Sequence, residues 1–239
     1  MQNYHYSQYS RKIAFVMQAR MDSIRLPGKV LSDFCGKPML KFQIDLLRRS
    51  NLGIDIVVAT STNEENDKIE ELCDDNMVQC IRGDEDNVFS RFFKVAKQCC
   101  LNHIIRLTGD NPLPSLDVIK VCLEKHLRVL PDLTSTRRVM KDHLLKRYVP
   151  KGLSVDIMNC KTLMGIDQSS LNDYAKENVI SVFFKGKYKV NIISDYDIDL
   201  PELSVDTPED HERVSAFATN LLSNGQLLNI LGYQSISKS

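Results

Sequence analysis

The feature that most constrains this chain is an apolar rhythm in its first 130 residues. Short apolar runs alternate four times with segments of helical periodicity. IAFVMQ (Ile13 to Gln18) is a short continuous apolar run, the pattern of a strand buried on both faces. Leu40, Ile44 and Leu47 then recur at helical spacing. IDIVVAT (Ile54 to Thr60) reads as a second strand, and STNEEN supplies capping and first-turn acids for a helix carrying Ile69, Leu72 and Cys73. MVQCIRG, ending at Gly83, and HIIRLTGD, ending at Asp110, are the third and fourth strands. Helices follow them with Phe92, Val95 and Ala96 on one face, and with Leu116, Ile119, Leu123, Leu127 and Leu130 on another. Four successive strand–helix pairs specify an α/β fold, a doubly wound and mostly parallel sheet with helices on both faces.

Beyond Leu130 the rhythm changes. LSVDIM (Leu153 to Met158) and KYKVNII (Lys187 to Ile193) read as strands around a helix expected over Leu171 to Phe184, an arrangement that calls for antiparallel pairing. No linker rich in Gly, Ser or Pro separates this part. The expected organisation is therefore a flexible tail over 1–12 and one domain over 13–239, with 131–200 as an embellishment. In SVDTPED, Thr207 caps a final helix, Pro208 takes its first position and Glu209 and Asp210 complement its dipole; Val214, Phe217, Ala218 and Leu221 continue it.

With 239 residues, the chain can hide about 70–75% of its extended surface. Lys and Arg (31) balance Asp and Glu (31), so no global field draws it to nucleic acid or an anionic membrane, and any anion site is local. No window approaches the roughly 18 apolar residues of a membrane span, and MQNYHYSQYS lacks the apolar stretch of a signal peptide, so a cytoplasmic protein is expected. The seven cysteines form no CxxC pair and read as reduced, mostly core thiols.

In doubly wound sheets ligands bind beyond the carboxyl ends of the strands. Three segments there carry chemistry. QARMDSIRLPGKVL (Gln18 to Leu31) gathers Arg20, Arg25 and Lys29 with Ser23 and Gly28 behind the first strand, partly neutralised by Asp22. Crowded cations repel, so such a loop suits an anion, and arginine forks with backbone N–H groups match phosphate oxygens; a solvated basic loop is the competing account. It is neither a Walker A loop nor a GxGxxG turn. RLTGDNPL (Arg106 to Leu113) sets Asp110 at a strand tip, although Gly, Asp, Asn and Pro also suit a plain turn. In SVDTPED, capping accounts for Thr207 to Asp210 but leaves Asp206 unexplained. Two isolated carboxylates facing a basic loop fit a hard divalent cation bridging protein and phosphate.

Together these segments resemble, in order and approximate spacing, the cytidylyltransferases that make CMP-activated acidic sugars. The spore-coat polysaccharide type is nearest, and KDO and acylneuraminate cytidylyltransferases are more distant. RGDEDNVFSRF (Arg82 to Phe92) also resembles a motif of the spore-coat type. The resemblance spans about Ile13 to Arg213. It implies a nucleotide-diphospho-sugar transferase-like fold, transfer of CMP from CTP to a 2-keto-3-deoxy or nonulosonic-type sugar, Mg²⁺ as cofactor and a homodimer. By position it implies that Arg20, Ser23, Arg25 and Lys29 hold the triphosphate, with Gln18 and Ala19 beside the base and Thr108 and Gly109 near the nucleotide. Asp110 and Asp206 become metal ligands, and Arg20, Lys29, Asp110 and Asp206 the catalytic set.

The sequence also departs from the family. Asp22 and Ile24 stand where it usually has Gly and Thr or Ser. KGLSVDIM (Lys151 to Met158) has Ser154 and Asp156 for the acids of Gly-Leu-Asp-Val-Glu, and KENVIS (Lys176 to Ser181) lacks the His and Thr of Glu-His-Val-Thr-Pro. Two other readings compete. A glycosyltransferase of related fold would use Asp84-Glu85-Asp86 as a metal-binding DxD, and a degenerate module would bind nucleotide without turnover. The five histidines are scattered and suit surface or satisfied core positions. RRVMKDHLLKR (Arg137 to Arg147) reads as a solvated basic segment, with a lid over a carboxylated sugar as its functional counterpart.

Overall fold

The computed structural model describes residues 12–140, 145–196 and 198–227. The tail expected over 1–12 lies, Lys12 apart, outside them, as do His5, His143 and the middle of the 137–147 segment.

The four expected strand–helix pairs form in order. They are β1 (Ile13–Gln18) and α1 (Met39–Arg48), β2 (Asp55–Ser61) and α2 (Asp67–Asp75), β3 (Gln79–Gly83) and α3 (Val88–Gln98), and β4 (His103–Thr108) and α4 (Leu116–Val129). All four strands are parallel, with β1 between β2 and β4. Ile13, Phe15 and Met17 of β1 join one core cluster with residues of α1, α2 and α4, whereas Ala14 and Val16 join another with residues of α3 and of the 160–183 segment. Alternation along one strand thus feeds both faces, which is why the run is apolar without interruption and why helices cover both sides.

The remaining elements extend this sheet. β5 (Leu133–Ser135) and β8 (Asp156–Asn159) complete it with β9 (Val190–Ile192), in the order β3-β2-β1-β4-β8-β5-β9. β8 runs antiparallel to both β4 and β5, giving the expected antiparallel component. β6 (Arg137–Val139) and β7 (Leu145–Arg147) form a separate antiparallel pair. Their three-residue length put them, with β5, below the threshold of periodicity. The helix expected over Leu171 to Phe184 is instead α6 (Asp173–Glu177) followed by 3-10 turns over Val179–Phe184, behind a short α5 (Cys160–Met164). Asn172 and Asn178 explain the break: the first caps α6 through the Ala175 amide, and the second ends it. Leu130, placed on the α4 core face by spacing, is its left-handed C-cap (φ 50°) and 39% exposed. STNEEN caps no helix by side chain; it forms a 3-10 turn ahead of α2. α7 (Pro208–Ser223) begins with the expected cap, reinforced by Asp210 into a capping box.

β2 and β3 lie on one side of β1 and β4 on the other. The strand order therefore reverses between β1 and β4, and the loops leaving their carboxyl ends border one crevice.

Candidate active site

A cleft of about 420 Å³ opens at that crevice and is lined by every residue expected at the site: Gln18, Ala19, Arg20, Ser23, Arg25, Lys29, Thr108, Gly109, Asp110 and Asp206. The basic loop reaches it by curling after β1. The amides of Ser23 and Gly28 both donate to the Met21 carbonyl (2.9 and 2.8 Å), and Gly28 turns left-handed (φ 69°) to start the short 3-10 turn Lys29–Leu31. Asn66, buried at the end of its own 3-10 turn, accepts from the Met21 amide at 2.9 Å and donates to Ser61 Oγ at 2.8 Å, bracing the loop against β2. Opposite, Gly109 donates to the Gln18 carbonyl at 2.8 Å; a Cβ there would meet Val30 at 3.1 Å and Ala19 at 3.2 Å, so any larger residue would press on the first loop. Gln43 of α1, fully buried, donates to the carbonyls of Thr108 (3.2 Å) and Asn111 (2.9 Å) and holds the second loop.

Asp206 is the electrostatic centre of the basic-loop side of the cleft. Lys29, 8% exposed, donates to the Val205 carbonyl at 2.7 Å and pairs with Asp206 Oδ1 at 3.2 Å. Arg25 reaches the same oxygen at 3.1 Å, and Lys151 pairs with Oδ2. Burial alone would raise the Asp206 carboxyl, but Lys151 and Lys29 hold it below the ordinary carboxylate range. Lys151 is brought there by Gly152 (φ 99°), where a Cβ would lie 2.4 Å from the Leu203 carbonyl carbon, and by the Leu203 amide donating to the Lys151 carbonyl at 2.7 Å.

Asp110 differs. Its backbone carbonyl accepts from the Val205 amide at 2.8 Å, bringing the two carboxylate-bearing segments together, while its Oδ1 is buried with no hydrogen-bond partner among the described residues. An orphaned carboxylate oxygen in a cleft suits a hard cation. No group of three or more His, Cys, Asp or Glu able to hold a metal is assembled among the described residues. Mg²⁺ does not require one, since it is bound through one or two carboxylates plus substrate phosphates. The donor set therefore fits.

The other half of the cleft holds Ser154, Arg137 and Arg147, which the sequence marks as a departure and as part of a basic segment, and centres on Asp156. Asp156, 1% exposed, accepts from Ser135 Oγ at 2.6 Å and Arg137 Nε at 3.2 Å; Arg137 Nη2 pairs with its Oδ2, and Arg106 Nη1 reaches that oxygen at 3.4 Å. Arg106 also donates to Gln18 Oε1 at 3.0 Å, so the first strand's last side chain is oriented from the fourth. Burial, with the Arg137 charge alongside, pulls the Arg106 pKa down to about 10. Arg147 donates to Ser154 Oγ at 3.3 Å and has no carboxylate partner among the described residues. Seven Lys and Arg side chains line the cleft against three carboxylates. The Asp84-Glu85-Asp86 stretch assembles no metal site: Asp84 Oδ1 accepts from the amides of Asp86 and Asn87, both at 2.9 Å, as an acidic turn does.

This fold and cleft define a nucleotidyltransferase of the α/β class. The family profile described as "Cytidylyltransferase" matches residues 14–180, and the chain belongs to that family, a CTP-using nucleotidyltransferase. It is 31% identical over 220 residues to the spore coat polysaccharide biosynthesis protein SpsF of Bacillus subtilis, covering 85% of each chain. It is also 31% identical over 111 residues to the 3-deoxy-manno-octulosonate cytidylyltransferase of Geobacter sulfurreducens, 42% of this chain and 40% of that one. The structure superposes on that of a cytidylyltransferase from Leptospira borgpetersenii with a TM-score of 0.79 at 23% identity, over 92% and 98% of the two chains.

Proposed function

We propose that this protein transfers CMP from CTP to an acidic sugar, of 2-keto-3-deoxy or nonulosonic type, with release of pyrophosphate. The observation that carries the acceptor class is Arg147, a guanidinium in the cleft bonded to a hydroxyl where its neighbours are bonded to carboxylates. A cleft cation of this kind favours an acceptor that brings its own anion. The similarity to an octulosonate cytidylyltransferase supports the same class.

In this reading an acceptor hydroxyl attacks the α-phosphorus in line and pyrophosphate leaves. Lys29 and Arg25 exchange part of their hold on Asp206 for the triphosphate oxygens, Arg20 contributes a third cation, and the backbone of Gln18 and Ala19 sits beside the base. Asp110 and Asp206, with the phosphates, would hold Mg²⁺, which supplies charge neutralisation on the phosphate oxygens. Positioning and electrostatics carry the rate, so no nucleophilic side chain is assigned. Incubation with CTP, Mg²⁺ and matched pairs of sugars, each acid beside its neutral alcohol, tests the proposal. Pyrophosphate release with an acid and not with its alcohol is expected. Equal release with both, or release only with neutral sugars, would overturn it.

A further inference from the structure

Behind the cleft, the basic loop rests on charged groups that the reaction as described leaves unused. Arg20 Nε lies 3.2 Å from Asp22 Oδ1, and Arg20 Nη1 lies 3.5 Å from Glu85 Oε1, so one guanidinium ties the loop after β1 to the turn between β3 and α3. Arg91 of α3, 1% exposed, approaches the same place. Its stem crosses Gly83, where a Cβ would fall 2.8 Å from Arg91 Cγ, so glycine is what admits it. Beyond these ion pairs, Asp22 Oδ1, both Glu85 carboxylate oxygens and all three Arg91 guanidinium nitrogens are buried without a hydrogen bond of regular geometry among the described residues. Water screens Arg91 weakly and Arg20, Asp22 and Glu85 (37%, 32% and 19% exposed side chains) in part, so Arg91 and the Glu85 carboxyl feel their neighbours most.

We propose that Asp22 and Glu85 are positioning residues for Arg20, gripping one side of its guanidinium so that its remaining N–H groups meet the CTP phosphates, and that the grip lasts only while the pair carries negative charge. The inference rests on the reading of Arg20 as a triphosphate contact. Glu85 is faced by Arg20 and Asp22 from the loop, by Ser61 at the end of β2, by Arg91 from α3, and by Asp84 and Asp86 of its own turn. Burial raises the Glu85 carboxyl above the ordinary glutamate range; the Ser61 hydroxyl and Arg20 oppose this, and the adjacent Asp22 carboxyl adds to it. As pH falls, Glu85 therefore gains a proton before an isolated glutamate would, and Arg20 loses that part of its hold. In Asp22→Asn the Glu85 carboxyl loses its like-charged neighbour, so it ionises at lower pH.

Calorimetric titration of the full chain with CTP and Mg²⁺ across the acid and neutral range tests this on the wild type, Arg20→Ala, Asp22→Asn, Glu85→Gln and the Asp22→Asn/Glu85→Gln double variant. The ionisation of CTP is common to all five, and binding needs no acceptor, so a wrong acceptor class leaves the readout intact. Each single variant is expected to bind CTP about five to thirty times more weakly at neutral pH. The acid-side loss of affinity should move to lower pH in Asp22→Asn and flatten in Glu85→Gln, which lacks the titrating carboxyl, and the double variant should approach Arg20→Ala. Single variants that keep the wild-type pH dependence would overturn the proposal, whether affinity is unchanged or falls only in step with stability in urea; weak binding by Arg20→Ala would then leave the triphosphate contact standing. Wild-type affinity in Arg20→Ala would remove that contact and this inference with it.

Discussion

Asp156→Asn isolates the energetics of the half of the site formed by β4, β6 and β8. The carboxylate is 1% exposed and offers its two oxygens to Ser135, Arg137 and Arg106, whose guanidinium-bearing side chains are 15% and 12% exposed. A carboxamide keeps the shape, removes the charge and turns one oxygen into an N–H₂ group facing other donors. Removing one partner from a buried ion pair costs about 3–5 kcal/mol. Because both arginines retain some contact with water, the lower end applies, about 3 kcal/mol. For a chain of this length that is about 6–12 °C in Tm. Urea unfolding should report the loss as a lower midpoint with the slope unchanged. The pH dependence has a definite sign. Burial alone would raise Asp156, but Arg137 and Arg106 outweigh it and hold the carboxyl below the ordinary range. Its contribution is therefore complete above the unfolded aspartate value near 3.9 and is lost as pH falls through the lower folded value, so the gap between wild type and variant should be constant at neutral pH and close only in strong acid. A loss under about 1 kcal/mol, or a gap that closes near neutrality, would refute the reasoning by showing that water already solvates both arginines.

Lys29→Met keeps the buried stem but removes the donor to Val205 and Asp206; CTP affinity measured by calorimetry should fall by about 1.5–3 kcal/mol. Asp110→Asn should lower turnover by orders of magnitude while Tm without Mg²⁺ stays near wild type, because the Oδ1 it alters has no protein partner among the described residues. Arg147→Ala should raise the acceptor KM about tenfold or more in steady-state kinetics and leave CTP affinity near wild type.

The basic-loop side of the cleft was legible because it lies in contiguous loops at the carboxyl ends of β1 and β4, where topology places ligands. What surrounds Asp206 was not. Its partner Lys29 is 177 positions away and Lys151 is 55 away, separations that no local pattern encodes. The roles of Arg137 and Arg147 were hidden for a second reason: they sit on three-residue strands, too short for alternation to register, and read as a solvated basic segment. Leu153 to Val155 looked like the start of a strand but precede it; Gly152 turns left-handed, Leu153 bonds back to Pro150, and the ladder begins at Asp156. Gln43 gave no signal beyond being a polar residue amid an apolar helix face, which marks a buried amide with carbonyls to satisfy.

The most direct test of the central claim follows the oxygen that joins sugar to phosphorus. An acidic 2-keto-3-deoxy sugar labelled with ¹⁸O at its anomeric hydroxyl, incubated with CTP and Mg²⁺, should yield a CMP-sugar with the label bridging carbon and phosphorus, seen as an isotope shift in ³¹P NMR, and one pyrophosphate per product. A product that lacks the bridging label, or that forms without pyrophosphate, would contradict attack by the acceptor on the α-phosphorus of CTP.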